Sequence, residues 1–386
     1  MERDENLRRF ATDSQWEKLE AYWLCGSDRR AAEKLGTSYS SVKRARDAVN
    51  LRAARHGYSP DNDLTHPVPD GFSLKGTSTL YNRDGEISAQ WVKTKEDTER
   101  QLEMMREGIE AMASELPRVK PTSAPESTSL DLMAGFPVGD HHLGMYAWGE
   151  EAGGNYDINI AERIIFGAID HLTAATPSCE QAVVAFLGDF MHYDSMEAVT
   201  PTGRNPLDAD GRFSKMVRSA IRSMRYVIQS VLSHHARVHI VVEIGNHDIA
   251  SSVFLMECLS NIYEEESRVT VDTSPAHFHY FDFGANLIGV HHGHSVKLHQ
   301  LPLIMATDRP EQWGKSKYRS WWTGHIHQDK VLDVNGCRVE SFRVLPPTDA
   351  WAQNKGYRSQ RSMSAIVLHR EHGEVARHTV NPAMLE

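Results

Sequence analysis

Residues 238–248 read VHIVVEIGNHD, an apolar run that ends in a glycine and three polar side chains. Short runs rich in β-branched residues are typical of buried parallel strands. Two similar runs precede it, LDLMAGFPV at 130–138 and AVVAFLG at 182–188, and segments 158–175, 212–235 and 250–265 between and after them are helix-like. The alternation predicts a layered α/β domain that carries its functional residues at the carboxyl ends of strands.

Polar motifs follow these runs and recur further along the chain. In order they are DHH at 140–142, GD at 188–189, GNHD at 245–248, HGH at 292–294 and GHIH at 324–327. Alternate side chains of an extended segment lie on the same side, so each Asp-x-His or His-x-His pair can reach one metal ion or two adjacent ones. Carboxylate, imidazole and amide oxygen suit manganese, iron, zinc and similar ions. The pattern therefore predicts a metal site.

The five motifs resemble, in content and order, the DxH, GDxx, GNHD, HG and GHxH motifs of the calcineurin-like metallophosphoesterase family. The resemblance implies a four-layer α/β/β/α sandwich and two divalent ions, with manganese expected and iron, zinc or magnesium as alternatives. It assigns the first ion to Asp140, His142, Asp189 and His327. It assigns the second ion to Asp189, Asn246, His292 and His325, so that Asp189 bridges the two.

The same resemblance implies phosphoester hydrolysis by in-line attack of a metal-bridging hydroxide. Two neighbouring ions lower the pKa of a shared water and clamp the displacement at phosphorus. His247 has the position of the family's catalytic histidine, and Asp248 is expected to orient its ring. Any one of these histidines taken alone is equally a packed core or surface residue, and the joint presence of five ordered motifs favours the metal site.

Two motifs favour a nuclease within this family. DHHLG at 140–144 resembles the DxHLG start of the nuclease subunit in double-strand-break repair complexes, and GDFMH at 188–192 resembles its GDLFH motif, with Met191 where an aromatic residue is usual. His192 is then either an additional catalytic histidine near the scissile phosphate or a residue that packs beside the metal loop. By resemblance alone, a homodimer and an ATPase partner are expected.

Residues 14–50 predict three helices, with Gly26 and Gly36 as the stops of the first two. Two short helices joined by a glycine-containing turn form the helix-turn-helix arrangement. Basic side chains outnumber Glu33 and Asp47 between residues 29 and 55. DNA contacts, mostly to phosphates, are therefore expected from Arg29, Arg30, Ser38, Ser41, Lys43, Arg44 and Arg46. A plain three-helix scaffold with a solvated basic face is the alternative.

The middle of the chain separates these two parts. An Asp-Gly pair at 84–85 predicts a hairpin over 72–93, the pattern from Lys95 to Met112 is helical, and PRVKPTSAPESTS at 117–129 is typical of a linker. The predicted division is a helix-turn-helix domain at 1–60, a hairpin and helix at 61–116, a linker at 117–129 and a metallophosphoesterase domain at 130–386. This domain order resembles phosphoesterases encoded by bacteriophages.

The segment WGKSKYRSWW at 313–322 mixes aromatic and cationic residues. Such mixtures can stack bases and hold phosphates, so Lys315, Lys317 and Arg319 are candidate substrate contacts. The alternative for Trp321 and Trp322 is burial in a strand beneath the metal site.

Composition restricts the cellular setting. The 386 residues carry a net charge of −10, and no apolar run approaches the length needed to cross a bilayer. The start MERDENLRRF is charged and lacks the apolar core of a secretory signal. The four cysteines form no CxxC pair, which favours reduced thiols in a cytoplasm, the host's if the chain is phage-encoded. No membrane partner is expected.

The prediction that follows is a manganese-dependent DNA phosphodiesterase, exo- or endonuclease, whose DNA is held partly by the N-terminal helices. A phosphomonoesterase or a small nucleotide phosphodiesterase, with the helices as a docking module, is the alternative. A DNA-binding regulator with a vestigial metal site is a third hypothesis, and the complete set of ligand residues argues against it.

Overall fold

The computed structural model describes residues 3–60, 72–82, 87–96 and 118–385. The chain forms two compact units, Met1–Glu110 and Ala111–Glu386. All four cysteines are free thiols, as predicted. Among the described residues, no helix combines the length and apolarity that a membrane span requires.

The first unit begins with a short 3-10 turn at Glu5–Phe10, followed by helices α1 (Asp13–Cys25), α2 (Asp28–Leu35) and α3 (Tyr39–Arg55). Gly26 and Gly36 end α1 and α2 in the left-handed conformation, with φ of 71° and 63°. The side chains of Ser27 and Ser38 accept a backbone N–H at the starts of α2 and α3. The three predicted helices are confirmed, because caps and stops lie where the sequence indicates them.

A two-stranded antiparallel hairpin of β1 (Phe72–Tyr81) and β2 (Ile87–Glu96) completes the described part of this unit and confirms the predicted hairpin. Strand β2 extends through Glu96, so the helix predicted from Lys95 does not begin there. The predicted turn residues 84–85 and the remainder of the predicted helix, 97–112, lie outside the described residues.

The segment predicted as a linker lies along the second unit in its described part, from residue 118 onward. The Val119 N–H donates to the Ile262 carbonyl at 2.9 Å, and Val119 is buried. Thr122 donates from its N–H and its hydroxyl to Glu266 Oε2, at 2.7 and 2.8 Å. These contacts fix residues that composition alone indicated as a flexible connection.

The second unit is built from two sheets and the helices that cover them. Its strands are β3 (Ser129–Val138), β4 (Cys179–Phe186), β5 (Arg237–Val242), β6 (Val269–Val271), β7 (His279–Phe283), β8 (Asn286–His291), β9 (Tyr318–Thr323), β10 (Lys330–Val334), β11 (Cys337–Ser341), β12 (Met363–His369) and β13 (Gly373–Val380). Its helices are α4 (Gly149–Ala152), α5 (Ile158–Ala175), α6 (Phe213–His234), α7 (Ile249–Ile262), α8 (Leu301–Asp308), α9 (Pro310–Lys315) and α10 (Ala350–Asn354). The predicted strands at 130–138, 182–188 and 238–245 and the three predicted helices are confirmed.

Strand order places the functional ends of the strands together. The first sheet runs β13-β12-β3-β4-β5-β6, in which β3 to β6 are parallel and the last two strands of the chain are antiparallel additions. The second sheet runs β10-β11-β9-β8-β7, with β8, β9 and β11 parallel. Carboxyl ends of parallel strands meet at one edge of a sheet, so each sheet presents its strand ends on a single edge.

The period-2 pattern of the strands divides the core into layers. In β4, Val183 and Ala185 face the second sheet, whereas Val184 and Phe186 face α5, α6 and α7. On the outer face of the second sheet, Trp321 packs with residues of α8. The unit is therefore a four-layer α/β/β/α sandwich, which confirms the predicted fold class.

Trp321 and Trp322, two of the three tryptophans of the segment at 313–322, are part of this core. Trp322 lies between the sheets, where its ring occupies the space that a side chain at Gly135 would need. Trp321 lies on the opposite face, against α8. Their burial confirms the structural alternative for these two residues.

Candidate metal centre

Five loops form the candidate site, each immediately after a strand. The loops follow β3, β4 and β5 of the first sheet and β8 and β9 of the second. Two hydrogen bonds join the edges of the sheets: the His325 N–H donates to Asp140 Oδ2 at 2.8 Å, and His292 Nδ1 lies 2.8 Å from the Leu187 carbonyl oxygen. The motifs that are scattered along the sequence therefore meet in one place.

A first cluster contains Asp140, His142 and His327, whose ligand atoms all lie within 4.8 Å of one another. His327 Nε2 is 2.8 Å from Asp140 Oδ2 and 3.2 Å from His142 Nε2. Asp140 is fully buried, while the His327 side chain is 41% exposed. Three donor atoms thus converge at a point that solvent can approach from the His327 side.

A second cluster contains Asp189, His292 and His325, again with ligand atoms within 4.8 Å of one another. His292 Nε2 lies 3.2 Å from Asp189 Oδ2 and 3.1 Å from Asn246 Oδ1, which adds the amide oxygen to this group. All seven predicted ligand residues are thus assembled in two adjacent clusters. The sharing of Asp189 between two ions stays a prediction, since its carboxylate groups with the second cluster alone.

The charges of the site suit cations. Burial alone would raise the pKa of Asp189, but the neighbouring His292 outweighs burial and holds it below its usual value. Burial likewise disfavours a charged His292, yet Asp189 and Asp140 raise its pKa to about 10. The raised pKa of His292 reflects the negative charge of the buried carboxylates around it, which favours a bound cation. Two buried carboxylates with imidazole and amide donors are a set that divalent transition-metal ions fit.

Backbone conformation at the ligands is unusual. His142, Asp189, His325 and His327 have φ values of 43°, 49°, 70° and 53°, in the left-handed region that side chains with a Cβ rarely adopt. For most residues with a Cβ this conformation costs about 1–2 kcal/mol, and aspartate, as at Asp189, adopts it more readily than histidine. Strain of this kind is typical of functional sites, where the surrounding structure imposes a conformation that the residue itself disfavours.

Two glycines permit the close approach of the loops. A Cβ at Gly245 would overlap the backbone and carboxylate of Asp189, and a Cβ at Gly324 would meet the Asp140 carboxylate. The glycines of the GNHD and GHIH motifs therefore leave room for the ligand carboxylates of other loops.

His247 lies beside the first cluster, with its ring centroid 4.8 Å from that of His142. Its Nδ1 is 2.8 Å from the His192 carbonyl oxygen, and its backbone N–H donates to Asp189 Oδ1 at 2.7 Å. The prediction that Asp248 orients this ring is wrong. Asp248 is fully buried and accepts N–H groups from Asp189, Met191 and Gly245, at 3.1, 3.0 and 3.2 Å.

That prediction fails because of the direction in which the Asp248 side chain points. Asp248 points back into the fold, where it joins the loops after β4 and β5, and the orienting acceptor for His247 is a main-chain carbonyl. Sequence reasoning missed this acceptor because every residue carries one.

His192 lies behind the metal ligands and is 2% exposed. Its Nδ1 is 3.2 Å from His142 Nδ1, and its ring stacks on His247 at 5.6 Å between centroids. The structure places it beside the metal loop, and its catalytic role stays a prediction. There it supports a ligand.

A buried acidic and histidine group lies next to the site, and sequence reasoning did not identify it. His279 Nε2 is 3.1 Å from Glu243 Oε2 and His279 Nδ1 is 2.9 Å from Asp272 Oδ2, while Glu243 Oε1 accepts the His292 N–H at 3.3 Å. Burial lowers the pKa of His279, but the two carboxylates outweigh it and raise the value to about 9. One sequence signal was present, a glutamate inside the apolar run VHIVVEIG.

Most predicted nucleic-acid contacts on the first unit are exposed. Arg29, Arg30, Lys43 and Arg44 are exposed on α2 and α3. Ser38 caps α3, and its Oγ accepts the Ser41 N–H at 3.2 Å.

Arg46 is a correction to the predicted set. It donates to Asp28 Oδ2 and to the Tyr22 hydroxyl, both at 2.9 Å, and its guanidinium lies 4.5 Å from the centre of the Tyr22 ring. Asp28 is itself buried, so Arg46 holds α1, α2 and α3 together.

Lys315, Lys317 and Arg319 are not brought to the metal site. They lie at the amino end of β9, whereas the metal motif GHIH follows its carboxyl end. With a rise of about 3.3 Å per residue, Arg319 is on the order of 20 Å along the strand from His325. Arg319 also donates to the Trp313 and Ser316 carbonyls, at 2.8 and 2.6 Å. These residues do not contact a phosphoester held between the two clusters.

Comparisons with known proteins match this chain by fold and not by sequence. No family model matches the chain, and no curated protein matches its sequence. Among solved structures, it is similar to an archaeal phosphodiesterase (15% identity, 64% of this chain and 99% of that one, TM-score 0.33). It is also similar to a predicted phosphoesterase from Streptococcus pneumoniae (10%, 65% and 99%, 0.27) and to zinc-bound Vps29 from Entamoeba histolytica (13%, 65% and 99%, 0.27). Scores this low carry no functional argument.

Proposed function

We propose that this chain is a two-metal phosphoesterase that hydrolyses DNA, as an exo- or endonuclease. The observation that carries the proposal is the convergence of Asp140, His142 and His327 beside Asp189, His292 and His325 at one edge of the sandwich. Divalent ions held there, manganese first among them, would activate water and stabilise charge at phosphorus.

The chain's own residues have separable roles in this proposal. Asp140 and Asp189 supply buried negative charge, and Asn246 adds an uncharged oxygen to the second cluster. His247 is held by the His192 carbonyl through Nδ1, which leaves Nε2 as the atom that can donate a proton to the leaving oxygen. Asp248 acts on the reaction indirectly, since it fixes the loop that carries Asp189.

DNA is the proposed substrate for two reasons. The DxHLG-like and GDxxH-like motifs at 140–144 and 188–192 resemble those of repair nucleases. In addition, the exposed cations Arg29, Arg30, Lys43 and Arg44 on α2 and α3 can contact phosphates, in a chain whose overall net charge is −10.

The test is cleavage of labelled linear and nicked DNA in Mn²⁺ by wild type, Asp189→Asn and His247→Ala. We expect each variant to lose roughly two orders of magnitude in rate or more, by removal of a buried ligand charge or of the proton donor. Asp131→Asn and His171→Ala, at exposed positions on β3 and α5, are the matched controls and should cleave like wild type.

Cleavage by Asp189→Asn at the wild-type rate would sink the two-metal proposal. If the chain hydrolyses p-nitrophenyl phosphate faster than bis-p-nitrophenyl phosphate and does not cleave DNA, the substrate is a small phosphomonoester and not DNA.

A further inference from the structure

A long excursion between β11 and β12 lies next to the metal centre. It leaves where the Phe342 N–H donates to the Thr323 carbonyl at 2.9 Å, one residue before the GHIH motif. It returns where the Ser362 N–H donates to the Val344 carbonyl at 3.1 Å. A Cβ at Gly139, the neighbour of Asp140, would lie 3.1 Å from the Arg343 carbonyl oxygen. The excursion is therefore anchored beside the first metal cluster.

The excursion carries aromatic and cationic residues in alternation. Residues 351–361 read WAQNKGYRSQR, and no acidic residue occurs between 350 and 363. Trp351 and Tyr357 are 62% and 44% exposed, and their rings stack with centroids 6.0 Å apart. Lys355 and Arg358, both exposed, lie in the same short stretch. This local positive charge contrasts with a chain whose acidic residues outnumber its basic ones, 52 to 42.

The loop that begins at His142 supplies a second pair of exposed aromatic residues. Tyr146 and Trp148 are 49% and 52% exposed and alternate with the buried Met145 and Ala147. The excursion contacts α4, which directly follows this loop, because the Thr348 hydroxyl donates to the Ala152 carbonyl at 3.2 Å. Exposed carboxylates follow Trp148 on α4, so positive charge is confined to the 351–361 side.

We propose that Tyr146, Trp148, Trp351 and Tyr357, here called the aromatic rim, bind unstacked bases of single-stranded DNA beside the scissile phosphate. Every base has a π face, so stacking on aromatic rings holds a strand without selecting its sequence. Lys355 and Arg358 contact the backbone phosphates of that strand, since a cationic stretch without acidic residues complements a polyanion. This subsite rests on the proposed function and names the form of DNA that the site accepts.

The test compares two fluorescein-labelled probes, a dT 12-mer and an abasic 12-mer of equal charge. Fluorescence anisotropy of the full chain in EDTA measures binding without turnover. We expect wild type to bind the dT probe about 5-fold more tightly or better, as base stacking implies. In Trp351→Ala the ratio of the affinities for the dT and abasic probes should fall toward one, whereas Trp351→Phe should retain the preference for dT. Leu303→Ala, at an exposed position on α8, is the matched control.

Equal affinity of wild type for the two probes, or a preference that Trp351→Ala leaves intact, would overturn the aromatic rim. Because the binding readout needs no catalysis, a Trp351-dependent preference without Mn²⁺-dependent cleavage would refute the nuclease proposal and keep the subsite. Mn²⁺-dependent cleavage without that preference would refute the subsite and keep the nuclease proposal.

Discussion

His142 is the ligand whose support is most visible at the scale of single residues. One ring nitrogen faces His327, and the other lies 3.2 Å from His192 Nδ1. A partner on the far nitrogen fixes the orientation of a ligand imidazole, and its loss commonly lowers metal affinity by about 10- to 100-fold.

We therefore expect His192→Phe, which keeps a ring but removes its nitrogens, to weaken Mn²⁺ binding at one of the two sites by about that factor. Calorimetric titration resolves the sites, and the other affinity should change little. His192→Asn keeps a polar atom near the Nδ1 position and should lose less. Wild-type titration curves for both variants would show that His142 is held by other contacts.

Ligand identity could be predicted from the sequence, but hydrogen-bond direction could not. Strand-end motifs specify which residue types reach the edge of a sheet, and all seven predicted ligands are assembled there. Asp248 follows His247 in sequence, yet its side chain points into the fold and accepts backbone N–H groups there. The sequence does not specify the backbone dihedral angles that set this direction. The orienting carbonyl of His192 has no sequence signal at all.

At the scale of elements, the sequence predicted the three central strands of the first sheet, β3, β4 and β5, and the helices that cover them, but not β6, β12 and β13 and little of the second sheet. The strands β3, β4 and β5 are continuous apolar runs because both of their faces are buried. The strands β10 and β11 have only five residues each and mix polar with apolar side chains, so a local pattern does not reveal them. Segment 313–322 shows the consequence of not predicting β9. Its cations lie at the amino end of this strand, whereas the metal motif follows the carboxyl end.

The Glu243–His279–Asp272 group connects the ends of β5 and β6 to the start of β7, and we expect the charge on His279 to make stability depend on pH. The pKa of His279 is raised from 6.5 to about 9 in the folded chain, by carboxylates that outweigh the effect of burial. The contribution of charged His279 to the free energy of unfolding is therefore complete below about pH 6.5 and is lost as pH rises through about 9. A shift of this size corresponds to on the order of 3 kcal/mol.

Denaturant unfolding of metal-free wild type and His279→Gln at pH 6 and pH 9.5 measures this contribution. The gap in unfolding free energy between the two proteins should narrow at pH 9.5. Asp272→Asn, which removes one of the two carboxylates, should move the loss of stability to lower pH and serves if His279→Gln does not fold. A gap that is independent of pH would show that His279 is neutral in the folded chain.

At the scale of the whole molecule, the chain joins a smaller unit that carries the basic helices to a larger unit that carries the candidate metal centre. Each phosphate contact adds about 0.9 to the slope of log affinity against log salt concentration. If Lys43 and Arg44 contact phosphates, the double variant Lys43→Ala/Arg44→Ala should reduce the slope for a DNA duplex by about 2. Anisotropy between 50 and 200 mM salt measures it.

Arg163→Ala removes an exposed cation from α5 of the other unit and is the matched control. An unchanged slope in the double variant would assign the basic helices to a solvated surface or to a protein partner.

The left-handed backbone at His142, Asp189, His325 and His327 has an evolutionary consequence. Glycine adopts this conformation without the penalty that a Cβ imposes, and asparagine tolerates it better than histidine does. A lineage that no longer needed the ligands would gain stability from such replacements, so neutral drift would remove them early. Homologous sequences are therefore expected to keep all four ligands where metal binding is under selection and to lose them where it is not.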